Sequence, residues 1–177
     1  HVWYDPAVVH KVAAVVTDSL QERAPTASGY FAGRATKWDH AMAPYDAAIE
    51  QLRSSASGRA YAATESVFDP MAAALGLTDV TPAGYRKAAA NESEPAASDL
   101  AAFESQLRGG SVDVLIVNTQ TQGAVPEQLR HVAESAGVPV HRQRTSTPAK
   151  FFLPRRSTSQ VPPIRSAWPG TWSGSST

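Results

Sequence analysis

The stretch VDVLIVN, residues 112–118, constrains the fold more than any other part of this sequence. It is a short and nearly continuous apolar run, rich in β-branched residues, and such a run predicts a strand buried on both faces. Two further segments share its character: RAYAAT (59–64) before it and VPV (138–140) after it. Helical patterns separate them. After Glu65 a helix is expected through Leu75, with Gly76 placed to end it, and another from Ser98 as cap to about Arg108, closed by two glycines. A third follows NTQTQG, from about Pro126 to Ala136. Strand, helix, strand, helix, strand is the grammar of a parallel sheet with right-handed crossovers. TDVTPAGYRKAAANESEP (78–95) reads only as a mixed connection.

Upstream the texture is helical. Asp5 can cap a helix and Pro6 suits its first position. From Pro6 to about Arg23, Val8, Val9, Val12, Val15, Val16 and Leu20 fall at helical spacing. A second helix is expected over about Ser28–Ser54, with Phe31, Trp38, Met42, Tyr45, Ile49 and Leu52 along one stripe and a kink or break at Pro44. The division expected is therefore 1–57 as helical linking region, 58–141 as an α/β lobe, and 142–177 as a basic tail.

Composition removes several classes of function. The formal net charge is zero, so nothing global favours nucleic acid. Cysteine is absent, which excludes disulfides, thiolate metal sites and cysteine nucleophiles. No run approaches the roughly 20 apolar residues of a membrane span, and no signal segment is visible. Phosphate-loop glycine spacing and the nucleophile-elbow and His-Glu-x-x-His motifs are all missing.

Parallel sheets place ligands beyond the carboxyl ends of their strands. Glu65 lies there after the first strand, and Asn118, Thr119 and Gln120 after the central one. His1 and Glu65 form the candidate metal pair, since imidazole and carboxylate both suit zinc or manganese without sulfur. Two ligands alone make a weak site. The rival reading has Glu65 capping the helix after it. His1 itself is open to three readings: a metal ligand, an N-terminal chelate, or the chance point at which the chain was cut.

Four segments in order carry a resemblance: HVWYDP, YAATESVFDPMAAALGL, NESEPAASDLAAFESQL and VDVLIVNTQTQGAVPEQLRHVAESAGVPV. Together, over roughly residues 1–140, they resemble the ZnuA/TroA-like proteins, extracytoplasmic solute-binding components of zinc and manganese ABC importers. The resemblance implies two α/β lobes joined by a long helix, with one ion between them held by histidines and acids. It makes His1 one ligand and Glu65 another, with Zn2+ or Mn2+ as transported cargo. It also implies an ABC permease as partner, an extracytoplasmic or lipoprotein location, a monomer and no catalysis. ESEP resembles a family segment and is assigned no ligand.

The chain departs from the family pattern in three respects. The family's first ligand histidine belongs to an N-terminal lobe, which would lie before His1 and is missing here. Its last ligand is an acid soon after the VPV strand, whereas HRQRTSTPAKFF contains none, and His141 is the substitute on offer. The family's closing amphipathic helix is also absent from LPRRSTSQVPPIRSAWPGTWSGSST, which is proline-broken and acid-free. A reading-frame shift near residue 141 accounts for that tail, with a natural basic tail for anionic surfaces as the rival. The remaining alternatives are a non-catalytic interaction domain, or an inert fragment without a competent site. A copper site at an amino-terminal histidine would demand a β-sandwich, which this helical and α/β sequence does not predict.

Overall fold

The computed structural model describes residues 2–121 and 123–143. Of the tail expected from residue 142, only 142 and 143 are described, and they belong to a strand; the other expectations for it, including the frame shift, lie outside the described residues, as does His1.

After a 3₁₀ turn at Val2–Tyr4, α1 runs Pro6–Arg23. Its start is fixed as the sequence suggests: the Asp5 carboxylate accepts from the backbone N–H of Ala7 at 2.8 Å and of Val8 at 3.3 Å, and Pro6 occupies the first turn. A second 3₁₀ turn, Pro25–Ala27, leads into α2, Ser28–Ala56. Of the kink or break expected at Pro44, the break does not occur, because α2 passes unbroken through it. Pro44 and His40, whose carbonyl the proline leaves without its usual donor, are both exposed, so water can take over the lost bond.

The α/β part begins with β1, Ala60–Ala63, a 3₁₀ turn Ser66–Phe68, and α3, Asp69–Leu75. Gly76 ends α3 in the left-handed conformation at φ 70°, as its position predicts. Next come β2, Thr78–Asp79, and α4, Ala83–Ala90, inside the stretch that the sequence presents only as a connection. They are followed by α5, Ala97–Arg108, β3, Val114–Asn118, α6, Ala124–Ser135, and β4, Val140–Gln143. The last strand starts two residues later than expected and extends further. α5 is entered from extended Ala96 rather than capped by Ser98.

All four strands are parallel, in the order β2-β1-β3-β4. The central position of β3 explains its unbroken apolar run. On one face of the sheet Ala62, Leu115 and Val117 pack with Tyr85, Phe103, Leu107, Leu129 and Ala133 from α4, α5 and α6. On the other, Tyr61, Ala63 and Ile116 meet Ala72, Phe68 and Leu77. Phe103, Leu107, Leu115 and Leu129 are fully buried. The helical pair α1 and α2 contributes no buried residue to this core. Val12, Val15, Val16 and Leu20, the apolar stripe of α1, are exposed on the described surface. No described helix is long and apolar enough to cross a membrane.

Candidate functional site

The carboxyl ends of β1 and β3 adjoin, and both chains leave the sheet there with polar residues. Thr64 continues the ladder one step past β1, its N–H donating to the Ile116 carbonyl at 3.0 Å. Its buried hydroxyl then accepts the Asn118 N–H at 3.3 Å, which ties the two strand ends together. Glu65 follows in extended conformation at the mouth of the 3₁₀ turn, and its side chain makes no capping bond. The capping role open to it in the sequence is therefore not the one it takes.

The Glu65 carboxylate turns instead toward the loop after β3. Asn118 Nδ2 donates to Glu65 Oε2 at 3.0 Å, and the Thr121 hydroxyl donates to Oε1. Asn118 Nδ2 also reaches Thr121 Oγ1 at 3.2 Å, while its Oδ1 accepts the Gln120 N–H at 3.0 Å. Both polar atoms of the Asn118 amide are thus engaged, so its orientation is fixed by its neighbours. Asn118 is 7% exposed, whereas Glu65 is only half-buried and Thr121 is at the surface. The result is an ionisable carboxylate held from below by a buried amide and open above.

Two hollows meet at this carboxylate. One, of about 390 Å³, extends over α4 past Tyr85 toward Arg86 and Asp69; the other, of about 430 Å³, extends past Glu94 and Pro95 toward Gly123 and Pro126. Thr64, Glu65, Tyr85, Ala89 and Glu92 line both. The cation that lines the first hollow is already committed, because Arg86 bridges Asp69 at 2.7 Å and also Asp79. Burial, and then the charge of Glu65, push the Tyr85 phenol up to about 12. Acids therefore line the cleft and an un-ionised phenol lies in its wall, a setting that favours a cation over an anion.

Of the residues that the sequence marks, Glu65 and Asn118 come together at this cleft. Thr119 faces β4, its hydroxyl donating to the Gln143 carbonyl at 3.1 Å. His141 lies on β4 beside Ile116 with its ring 6.4 Å from that of Phe68. His1 is outside the described residues. Among the described residues no three His, Cys, Asp or Glu side chains stand close enough together to hold a metal ion. Tyr85, Glu92 and Thr121 went unmarked: the first two belong to the stretch read as a connection, and no motif signals the third. A hydroxyl three residues after a strand-end asparagine is the only cue that Thr121 offers.

The family described as zinc-uptake complex component A, periplasmic (ZnuA), matches residues 1–150. A ZnuA crystal structure superposes with TM-score 0.62 at 15% identity, covering 80% of this chain and 52% of that one. The periplasmic zinc-binding protein TroA from Treponema pallidum gives 0.58 at 19% identity, covering 81% and 51%. The metal-dependent lipoprotein YcdH from Bacillus subtilis gives 0.62 at 19% identity, covering 82% and 52%. At these identities the likeness is one of fold, and the chain spans about half the length of each of these relatives. No match was found among curated protein sequences.

Proposed function

Since this chain belongs to the ZnuA family of periplasmic zinc-uptake components, we propose that it is part of a receptor that captures a transition-metal ion, zinc or manganese, outside the cytoplasm and passes it to an ABC permease. The observation that carries this reading is the Glu65 carboxylate, pre-set at the carboxyl edge of a parallel sheet inside an acid-lined cleft. Glu65 is one ligand in this proposal and His1 the other, with the lobe over residues 58–141 as the body that presents the acid. The metal is cargo, bound and released unchanged, and no residue acts as a catalyst.

Coordination asks for a deprotonated carboxylate and a neutral imidazole. An aligned carboxylate supplies one hard, anionic ligand, and the open side of the cleft leaves room for the rest of the shell. Zinc is satisfied by about four nitrogen or oxygen ligands, and manganese by a more oxygen-rich set.

Equilibrium dialysis of the full-length parent protein, with both lobes, against zinc and manganese tests the reading, since the 177 residues alone, with two ligands, should bind poorly. Stoichiometric binding that falls at least about tenfold in each of Glu65→Ala and His1→Ala supports it. Binding that neither substitution changes removes the assignment and leaves an interaction domain or an inert fragment. Imidazole protonation adds a second check, since affinity should drop below about pH 6.

A further inference from the structure

We propose that Asn118 and Thr121 are positioning residues for the metal ligand, forming a hydrogen-bonded collar that fixes the Glu65 carboxylate before any ion arrives; this rests on the receptor reading above.

The geometry is a closed triangle. Asn118 Nδ2 donates to Glu65 Oε2 at 3.0 Å and to Thr121 Oγ1 at 3.2 Å, and the Thr121 hydroxyl donates to Glu65 Oε1. The corner at Asn118 is anchored, because its backbone N–H donates to Thr64 Oγ1 at 3.3 Å and its Oδ1 accepts the Gln120 N–H. Asn118 also ends β3, with the register partner Gln143 on β4. The orientation of a surface carboxylate is thus set by the central strand of the sheet.

Glutamate is among the side chains that lose most rotamer freedom on ordering. A collar already in place removes that entropy from the binding step, so the ion meets an aligned ligand rather than recruiting one. Groups that orient metal ligands in this way matter nearly as much as the ligands, and removing one commonly weakens metal affinity about 10- to 100-fold. The two partners contribute differently. Asn118 is buried and supplies rigidity, while Thr121 is exposed and closes the second oxygen.

The experiment measures zinc affinity of the full-length parent protein, with both lobes, by competition with a chromogenic chelator. It also records the visible absorption of the Co2+-loaded form, whose intensity reports ligand geometry. Thr121→Val and Asn118→Ala should each weaken binding at least about tenfold and change the Co2+ spectrum, and Thr121→Ser, which keeps the hydroxyl, should restore both. Thr121 is exposed, so its valine variant reports on the collar even if Asn118→Ala does not fold. If Glu65→Ala weakens binding while Thr121→Val leaves affinity and spectrum unchanged, the collar is overturned and the receptor reading stands. If Glu65→Ala itself has no effect, the receptor reading falls and the collar with it.

Discussion

Thr81 Oγ1 accepts a hydrogen bond from the backbone N–H of Ala63 at 2.9 Å, taking the place of a strand that has already ended. β2 pairs with only Ala60 and Tyr61, so the outer edge of β1 would otherwise present a bare donor at Ala63. Thr81 is nearly buried there and is itself held by a turn, its N–H donating to Asp79 Oδ1 at 2.8 Å. One hydroxyl therefore completes the sheet immediately before Thr64 and Glu65.

Replacing that hydroxyl separates shape from hydrogen bonding. Thr81→Val keeps the volume and leaves the Ala63 N–H without a partner, which costs about 1–3 kcal/mol. Thr81→Ser retains the acceptor and should lose much less. Urea unfolding of the two variants checks this, and equal stabilities would show that the bond contributes nothing net.

The core on the α4–α6 side of the sheet is built from buried aromatic and aliphatic side chains. Tyr85 and Phe103 meet edge to face with centroids 4.9 Å apart, and Leu107 beside them is fully buried. Leu107→Ala should destabilise the chain by about 2–5 kcal/mol, through lost burial and the cavity left behind. Thermal or urea denaturation gives the value directly.

Burial and then Asp46 raise the Tyr45 phenol, but the two phenols raised furthest are those that make stability most sensitive to alkali. Burial first, and then the charge and hydrogen bond of Asp69, push Tyr61 up to about 12, with Arg86 opposing; burial and then Glu65 do the same for Tyr85. The unfolded phenols ionise near pH 10. A folded pKa above the unfolded one means that the contribution is complete below about pH 10 and is lost as pH climbs toward 12. The folded chain should accordingly show two late phenolate transitions in the near ultraviolet. Asp69→Asn removes the charge beside the Tyr61 hydroxyl, which lies 3.0 Å away, and should move that transition earlier while Tyr85 stays late. An unmoved profile would assign the whole effect to burial.

How far the sequence foretold this molecule depends on how local each cause is. The Asp5 cap, the Gly76 stop and the apolar run of β3 act within a few residues, and each sits where the residues imply. α2 overrode the local signal of Pro44, since one lost bond in an exposed turn is small against a helix of 29 residues. β2 and α4 were hidden because a two-residue strand has no alternation to read, and α4 buries one side chain, Tyr85. The same logic governs the site. Glu65 and Asn118 were visible as strand-end residues, because topology alone places strand ends at clefts. Thr121 was not, since its role exists only once two strand ends 53 residues apart in sequence lie side by side.

Gly76 offers a test in which two effects can be pulled apart. It adopts φ +70°, and a Cβ placed there would sit 2.9 Å from Ser57 Oγ and 3.4 Å from Ser57 Cβ. Its carbonyl also accepts the Gly58 N–H at 2.8 Å, joining the end of α3 to the turn before β1. Gly76→Ala therefore carries a backbone penalty of about 1 kcal/mol for the left-handed residue, plus a steric one against the serine hydroxyl. Ser57→Ala removes only the nearer contact, because the 3.4 Å approach that remains is ordinary packing. The double variant should thus be more stable than the sum of the singles predicts, with the backbone penalty as the part that survives. Strict additivity in unfolding measurements would place the whole cost in the backbone and none in the crowding at Ser57.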